Sequence, residues 1–261
     1  LFAIASLMLA SCNSDFLEVS SDSPTEDNYY RNEAEVFSGL VSVYDIMRKN
    51  SGGFENMIAM FNAGSDDHFA GGGNATDGVG IQSFSNYTID SFKIPLSFWS
   101  DFYQGVFRAN VLLEKLPAVP MDENLKARYA AETKVLRAYY YFNLVNMFKN
   151  IPLITTPVTA GQMYQIPQAA PEDVYAQIEL DITEAIADLP ATLNAATEAG
   201  RFSKGSAQAL LGKVYLYQGK NALAAAQLAE VNGTPGGTSQ YGYKLLDDYN
   251  ELWIVSNKFN T

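Results

Sequence analysis

Residues 200–228 read G-R-F-S-K-G-S-A-Q-A-L-L-G-K-V-Y-L-Y-Q-G-K-N-A-L-A-A-A-Q-L, and their spacing predicts two short helices folded back on each other. Leu211 and Tyr215 lie four apart and share one helical face. Gly212 leaves room for the partner helix to approach. Gly219 suits the end of the first helix, where a left-handed residue is often needed. Asn221 is a favoured N-cap residue type for the second. Ala224 is the small residue over which Leu211 and Tyr215 can pack. Such a pair cannot bury its apolar face alone, so it predicts stacked helical neighbours.

The offsets of Leu211, Gly212, Tyr215, Gly219 and Ala224 are those of the tetratricopeptide helix-turn-helix pattern. Upstream, apolar residues recurring at three and four predict the neighbours. A helix from about Glu33 to Arg48 would present Ala34, Phe37, Val41, Tyr44 and Met47, with Asn32 and Glu35 forming a capping box. A second, from Ser97 to Leu116, carries Trp99, Phe102, Tyr103, Val106, Leu113 and Leu116, with Asn110 at the stripe's edge as a satisfied buried amide. A third, from Asn124 to Lys149, carries Ala131, Val135, Ala138, Phe142 and Val145. Arg137 interrupts that run, which predicts an acidic partner inside the array. Residues 154–171 form a proline-punctuated crossing loop. A fourth helix, from Pro171 to Leu189, carries Val174, Ile178, Ile182, Ala185 and Leu189, with proline near its start. A last short helix is expected at Tyr241–Tyr249. At least five helices without strand alternation predict an all-α fold, a tetratricopeptide-like superhelix of helical pairs with long irregular loop insertions.

Composition narrows the function. The chain has 261 residues, 17 basic against 29 acidic, for a net charge of −12. An acidic chain lacks the Lys and Arg excess that phosphate contacts need, which argues against a nucleic-acid partner. One Cys and one His exclude an internal disulfide and a Cys- or His-rich zinc site. No cofactor motif is present. The glycines at 71–73, 78 and 80 lack the G-x-G-x-x-G arrangement between strand and helix.

Leu1–Ala10 is an uncharged apolar run, too short to span a bilayer but suited to the core of a signal peptide. Leu9-Ala10-Ser11-Cys12 resembles the bacterial lipobox, which makes Cys12 the expected lipidation site. Residues 1–11 are thus read as a partial lipoprotein signal peptide and 12–31 as a lipidated N-terminus and polar tether. Residues 32–261 are read as a helical domain that stops before its second half.

The lipobox, the Trp99…Tyr103…Asn110 helix, A-E-T-K-V-L-R-A-Y-Y-Y-F-N-L-V-N-M-F-K-N-I-P-L at 131–153, Ile178…Asp181…Ala185…Leu189-Pro190, residues 200–217 and Tyr243–Tyr249 together resemble the SusD/RagB outer-membrane lipoproteins. The resemblance implies a non-enzymatic protein, lipid-anchored at the outer-membrane surface. It also implies a helical scaffold packed against a SusC/RagA-like TonB-dependent transporter. The ligand would be an oligosaccharide, or in some members a peptide; the helical pairs alone would equally suit a tetratricopeptide-type protein-interaction scaffold without a small ligand.

Carbohydrate capture needs flat aromatic faces and a few polar groups for hydroxyls. Residues 50–95, which show no helical period, hold both kinds: Asp66, Asp67, His68, Phe69, Asn74, Phe84, Asn86 and Tyr87. Long loops inside compact domains tend to be functional. This segment is therefore the candidate ligand or transporter contact, with an extended piece expected near Gln82–Ile89. Asp66-Asp67-His68 fits no calcium or zinc spacing. No pair of carboxylates suggests itself for glycoside hydrolysis.

Overall fold

The structure is a computed structural model and describes residues 29–254. The signal peptide, Cys12 and most of the tether lie outside the described residues. The fold is all-α, as the periodicity predicts. In chain order the helices are α1 (Glu33–Tyr44, continued by a 3-10 turn over Asp45–Asn50), α2 (Met57–Ala63), α3 (Val79–Ser85), α4 (Leu96–Lys115), α5 (Glu123–Phe148), α6 (Ala160–Met163), α7 (Pro171–Ala185), α8 (Lys204–Tyr217) and α9 (Asn221–Asn232). Two short strands, β1 (Ile151–Pro152) and β2 (Gln168–Ala169), pair antiparallel and clip the crossing loop.

Helix α5 is the centre of the array. It packs on α4 and α7, α1 lies across α4 and α5, and α8 docks on α7 and pairs with α9. The predicted α5 and α7 stripes are all buried. Pro117 turns the end of α4 into a 3-10 segment over Leu116–Ala118.

The close approach expected at Gly212 is present: a Cβ there would lie 2.7 Å from Leu228 Cγ. Gly219 takes φ +72 at the turn between α8 and α9. Gly212→Ala is expected to cost about 1 kcal/mol in a chemical melt, the low end for overpacking, because the obstructing atoms end a flexible side chain. No change in the unfolding midpoint would count against close packing of this pair.

Several local expectations differ from the structure. In α1 the buried residues are Val36, Gly39, Leu40 and Val43, while Ala34, Phe37 and Val41 face water. Both sets have helical spacing and differ by a small rotation. Gly39 settles it: a Cβ there would lie 2.5 Å from the Tyr30 ring, so the chain entering the domain covers that face. Asn32 caps α1 by accepting from Glu35 N–H (3.1 Å). Glu35 reaches back to Arg31 N–H (2.6 Å) instead of completing the box on Asn32.

In the 50–95 segment, α2 and α3 replace the expected irregular chain, and Gln82–Ser85 is helical rather than extended. Each has two turns, too few to show a period. They are set by their starts, Asn56 accepting from Ala59 N–H (2.8 Å) and Gly78 in the left-handed region at the head of α3. At the second helix of the opening pair, Asn221 is the first helical residue and Lys220 holds the cap position. Residues 241–248 form no helix, because Gly242 at φ +83 turns the chain and Ser239 N–H bonds back to Tyr243 O (2.8 Å).

Two buried ionic clusters tie the helices together. Arg137 donates from Nε and Nη2 to the Asp181 carboxylate (2.8 and 2.6 Å). Its Nη1 reaches Asn110 Oδ1 (2.8 Å) and Thr155 O (3.1 Å). Asn110 then donates to Ile154 O (2.9 Å), so both the predicted acid and the satisfied amide are present. In the second cluster the fully buried Glu132 accepts from Tyr44 Oη–H (2.7 Å), Arg128 Nε (3.0 Å) and Arg201 Nη2 (2.6 Å). Tyr44 Oη in turn accepts from Phe202 N–H (2.8 Å). Burial, then the Glu132 charge, pushes the Tyr44 hydroxyl far above its ordinary pKa, so it remains a donor.

Candidate functional site

The segment between α1 and α4 folds into a cap over one end of the array. Between its loops and the helix ends lies an open cleft of about 810 Å³. Phe54 and Glu55 form one wall, the start of α3 (Gly78–Ile81) another, and Ser91–Leu96 a third. Trp99 of α4 and Phe148 of α5 close its floor. Their rings meet edge-to-face with centroids 5.1 Å apart.

Local chemistry builds these walls. Asp90 Oδ1 accepts the backbone N–H groups of Phe92 (2.9 Å) and Lys93 (3.1 Å), making an Asx turn. The turn holds up the Phe92 ring, which is 97% exposed. The Lys93 ammonium, and after it the Phe92 N–H, hold the Asp90 carboxyl below the usual carboxylate range. The small residues at 78 and 80 let the walls close. A Cβ on Gly80 would lie 3.2 Å from Pro95, and one on Gly78 would lie 3.4 Å from the Phe54 ring.

Among the described residues, two charged side chains line the cleft, Glu55 and Lys93. Lys93 Nζ is occupied outside it, donating to Thr88 O (2.7 Å) and pairing with Asp90 (2.8 Å). Glu55 accepts from Ser97 Oγ–H (2.7 Å), and Ser97 Oγ accepts from Lys49 Nζ (2.7 Å). An exposed aromatic face with few fixed polar groups is the composition expected of a small-molecule site.

The sequence-predicted residues lie elsewhere in the cap. Asp66, Asp67, His68 and Phe69 sit exposed on the loop after α2. Asn74 accepts from Thr76 N–H (2.9 Å) and Thr76 Oγ1–H (2.6 Å), so its oxygen serves its own turn. Phe84 packs half-buried against Phe61. Tyr87 donates to Gly64 O (2.7 Å), which pins the end of α3 to α2 while its ring stays exposed. Asn86 caps the end of α3, and none of the eight lines the cleft. The aromatic lining comes instead from Phe54, Phe92, Trp99 and Phe148. The sequence signal for Phe92 was Asp90-Ser91-Phe92, an Asx-turn opening followed by an aromatic. Among the described residues, no group of three or more His, Asp or Glu is placed to hold a metal ion.

A second, more apolar groove of about 590 Å³ runs along α4 beside the crossing loop, with Trp99 shared between the two. Tyr103 Oη–H anchors that loop through Pro152 O (2.7 Å).

Comparison with known proteins places this architecture. Residues 15–216 match a SusD-like family described as starch-binding and associating with the outer membrane. A solved laminarin-binding SusD-like protein superposes with a TM-score of 0.85 at 65% identity, over 88% of this chain and 50% of that one. A SusD-like protein from Bacteroides fragilis superposes at 0.68 with 25% identity, over 90% of this chain and 44% of that one. SusD-like protein P38 of Formosa agariphila is 27% identical over 212 residues, 80% of this chain and 40% of the relative. The chain therefore spans about half the length of the relatives it matches, or somewhat less. With most of its helical array inside the matched span, the chain belongs to the SusD-like family.

Proposed function

We propose that this protein captures a glycan at the bacterial surface and passes it, chemically unchanged, to a TonB-dependent outer-membrane transporter. The observation that carries this reading is the 65% identity to a laminarin-binding SusD-like protein across 88% of the chain. That relation makes laminarin the first ligand to test. The cap cleft supports it with an exposed Phe92, a Trp99 floor and a carboxylate within one opening. In this reading Cys12 carries the lipid, residues 1–11 are the end of its signal peptide and residues 12–31 the tether. Residues 32–261 form the first, helical part of the binding protein. The exposed Asp66, Asp67, His68, Phe69 and Tyr87 border the captured glycan or the transporter, with Asn74 and Phe84 shaping their loop.

Titration of the full-length protein with laminarin in a calorimeter is expected to give saturable binding, with the glycan recovered at unchanged chain length. Heat traces flat for both laminarin and starch, or shortened laminarin products, would overturn the reading. Co-purification of a large outer-membrane barrel with the native lipoprotein checks the transporter part. Recovery of the lipoprotein alone would overturn that part.

A further inference from the structure

We infer that the cap cleft selects neutral glycans against anionic ones, with Glu55 as the selecting group and Lys49 and Ser97 as the residues that position it. This rests on the glycan-binding reading above and adds the charge class of the ligand.

The inference follows from how the two charges in the cleft are used. Lys93 points its ammonium at Asp90 and Thr88 O. Its charge is matched where it stands. Among the described residues, Glu55 receives one hydrogen bond, from Ser97 Oγ–H to Oε2. The other carboxylate oxygen is left to accept from a ligand hydroxyl, as a charge-assisted bond. A sulfate or uronate brought to the same place would meet a like charge, and among the described residues the lining holds no free cation to offset it. Rejection through an unpaired or like charge is the usual way a site discriminates between ligands of similar shape.

Glu55 lies on an exposed loop, and an exposed carboxylate would ordinarily move freely. Here it ends a relay rooted in the array. Ser97 can give its single hydrogen to Glu55 because its oxygen accepts from Lys49 Nζ at 2.7 Å. Lys49 is itself fixed. Its side chain is 9% exposed, it pairs with Asp101 at 3.2 Å, and its ammonium lies 4.9 Å from the centre of the Phe98 ring. The three ammonium donors are thus directed, and the Ser97 hydroxyl is left one orientation. The relay fixes where the negative charge stands in the cleft, which is what charge selection requires.

The test compares laminarin with sulfated laminarin on the full-length protein. The wild type is expected to prefer laminarin by at least about tenfold, well within what like-charge juxtaposition can supply. Glu55→Gln keeps an acceptor and removes the charge. It is expected to weaken laminarin binding severalfold, through loss of the charge-assisted bond, and to cut the preference by about tenfold, equivalent to about 1.4 kcal/mol. Ser97→Ala and Lys49→Met leave Glu55 in place but unheld, and are expected to reduce the preference while far-ultraviolet spectra stay native. A preference that Glu55→Gln leaves unchanged would overturn the inference and leave glycan binding standing. Absence of laminarin binding by the wild type would instead remove the reading beneath it.

Discussion

Arg137→Met is expected to lower the free energy of unfolding by about 3–5 kcal/mol, measured from the urea midpoint. The guanidinium fills four roles at once: two bonds to Asp181, one to Asn110 and one to Thr155 O. The side chains of Arg137 and Asp181 are 7% and 2% exposed. Methionine fills the space but leaves the carboxylate with Gln177 as its remaining partner, at 2.9 Å. An uncompensated buried charge is the most costly way to break such a pair. The exposed Lys134–Glu184 pair, which also joins α5 to α7 at 2.7 Å, is the internal comparison. Lys134→Met should cost less than about 1 kcal/mol, since solvent screens it. Replacing both Arg137 and Asp181 with apolar residues should recover part of the loss. Equal effects at Arg137 and Lys134 would show that burial gives this pair no special weight.

Phe92→Ala is expected to weaken laminarin binding by about thirtyfold, the effect of losing about 2 kcal/mol at a binding hot spot. The melting temperature should not move, because a ring that is 97% exposed contributes almost nothing to the core. Its value to a ligand comes from pre-organisation. The Asp90 turn fixes the backbone that carries it, so little order is lost on binding. Phe84→Ala should behave the opposite way, lowering stability through the lost Phe61 contact while leaving affinity near wild type. If Phe69→Ala or Tyr87→Ala produced the large loss and Phe92→Ala none, the ligand would belong to the outer loops and not to the cleft.

The long helices were legible in the sequence because their signals are redundant. In α5 the apolar spacing, the length and the break that Arg137 makes in the apolar run all agree, and the expected acid is Asp181. In α8 and α9 the glycines carried the information, since Gly212 and Gly219 each meet a steric condition that few residues satisfy. In α1 the periodicity was correct but its phase was not. Val36-Phe37 and Leu40-Val41 offer two adjacent apolar stripes, and the choice depends on Tyr30 lying over Gly39, a contact between separate parts of the chain. The cleft was hidden for a related reason. Phe54, Glu55, Phe92 and Trp99 are scattered over 46 sequence positions and meet through the fold of α2 and α3. Trp99 read as one more member of the α4 stripe, because position on a helix does not reveal what lies above its end.

The Tyr44 hydroxyl also bears on the order in which the protein assembles. It joins Glu132 to the backbone of Phe202, which lies 158 residues beyond Tyr44 in the chain. During vectorial synthesis the first helices emerge long before Arg201 and Phe202. Until then the Glu132 carboxylate lacks its bidentate partner, and burying it would be costly. The α1–α5 interface is therefore completed only when the segment carrying Arg201 and Phe202 docks. Such distant closure slows folding.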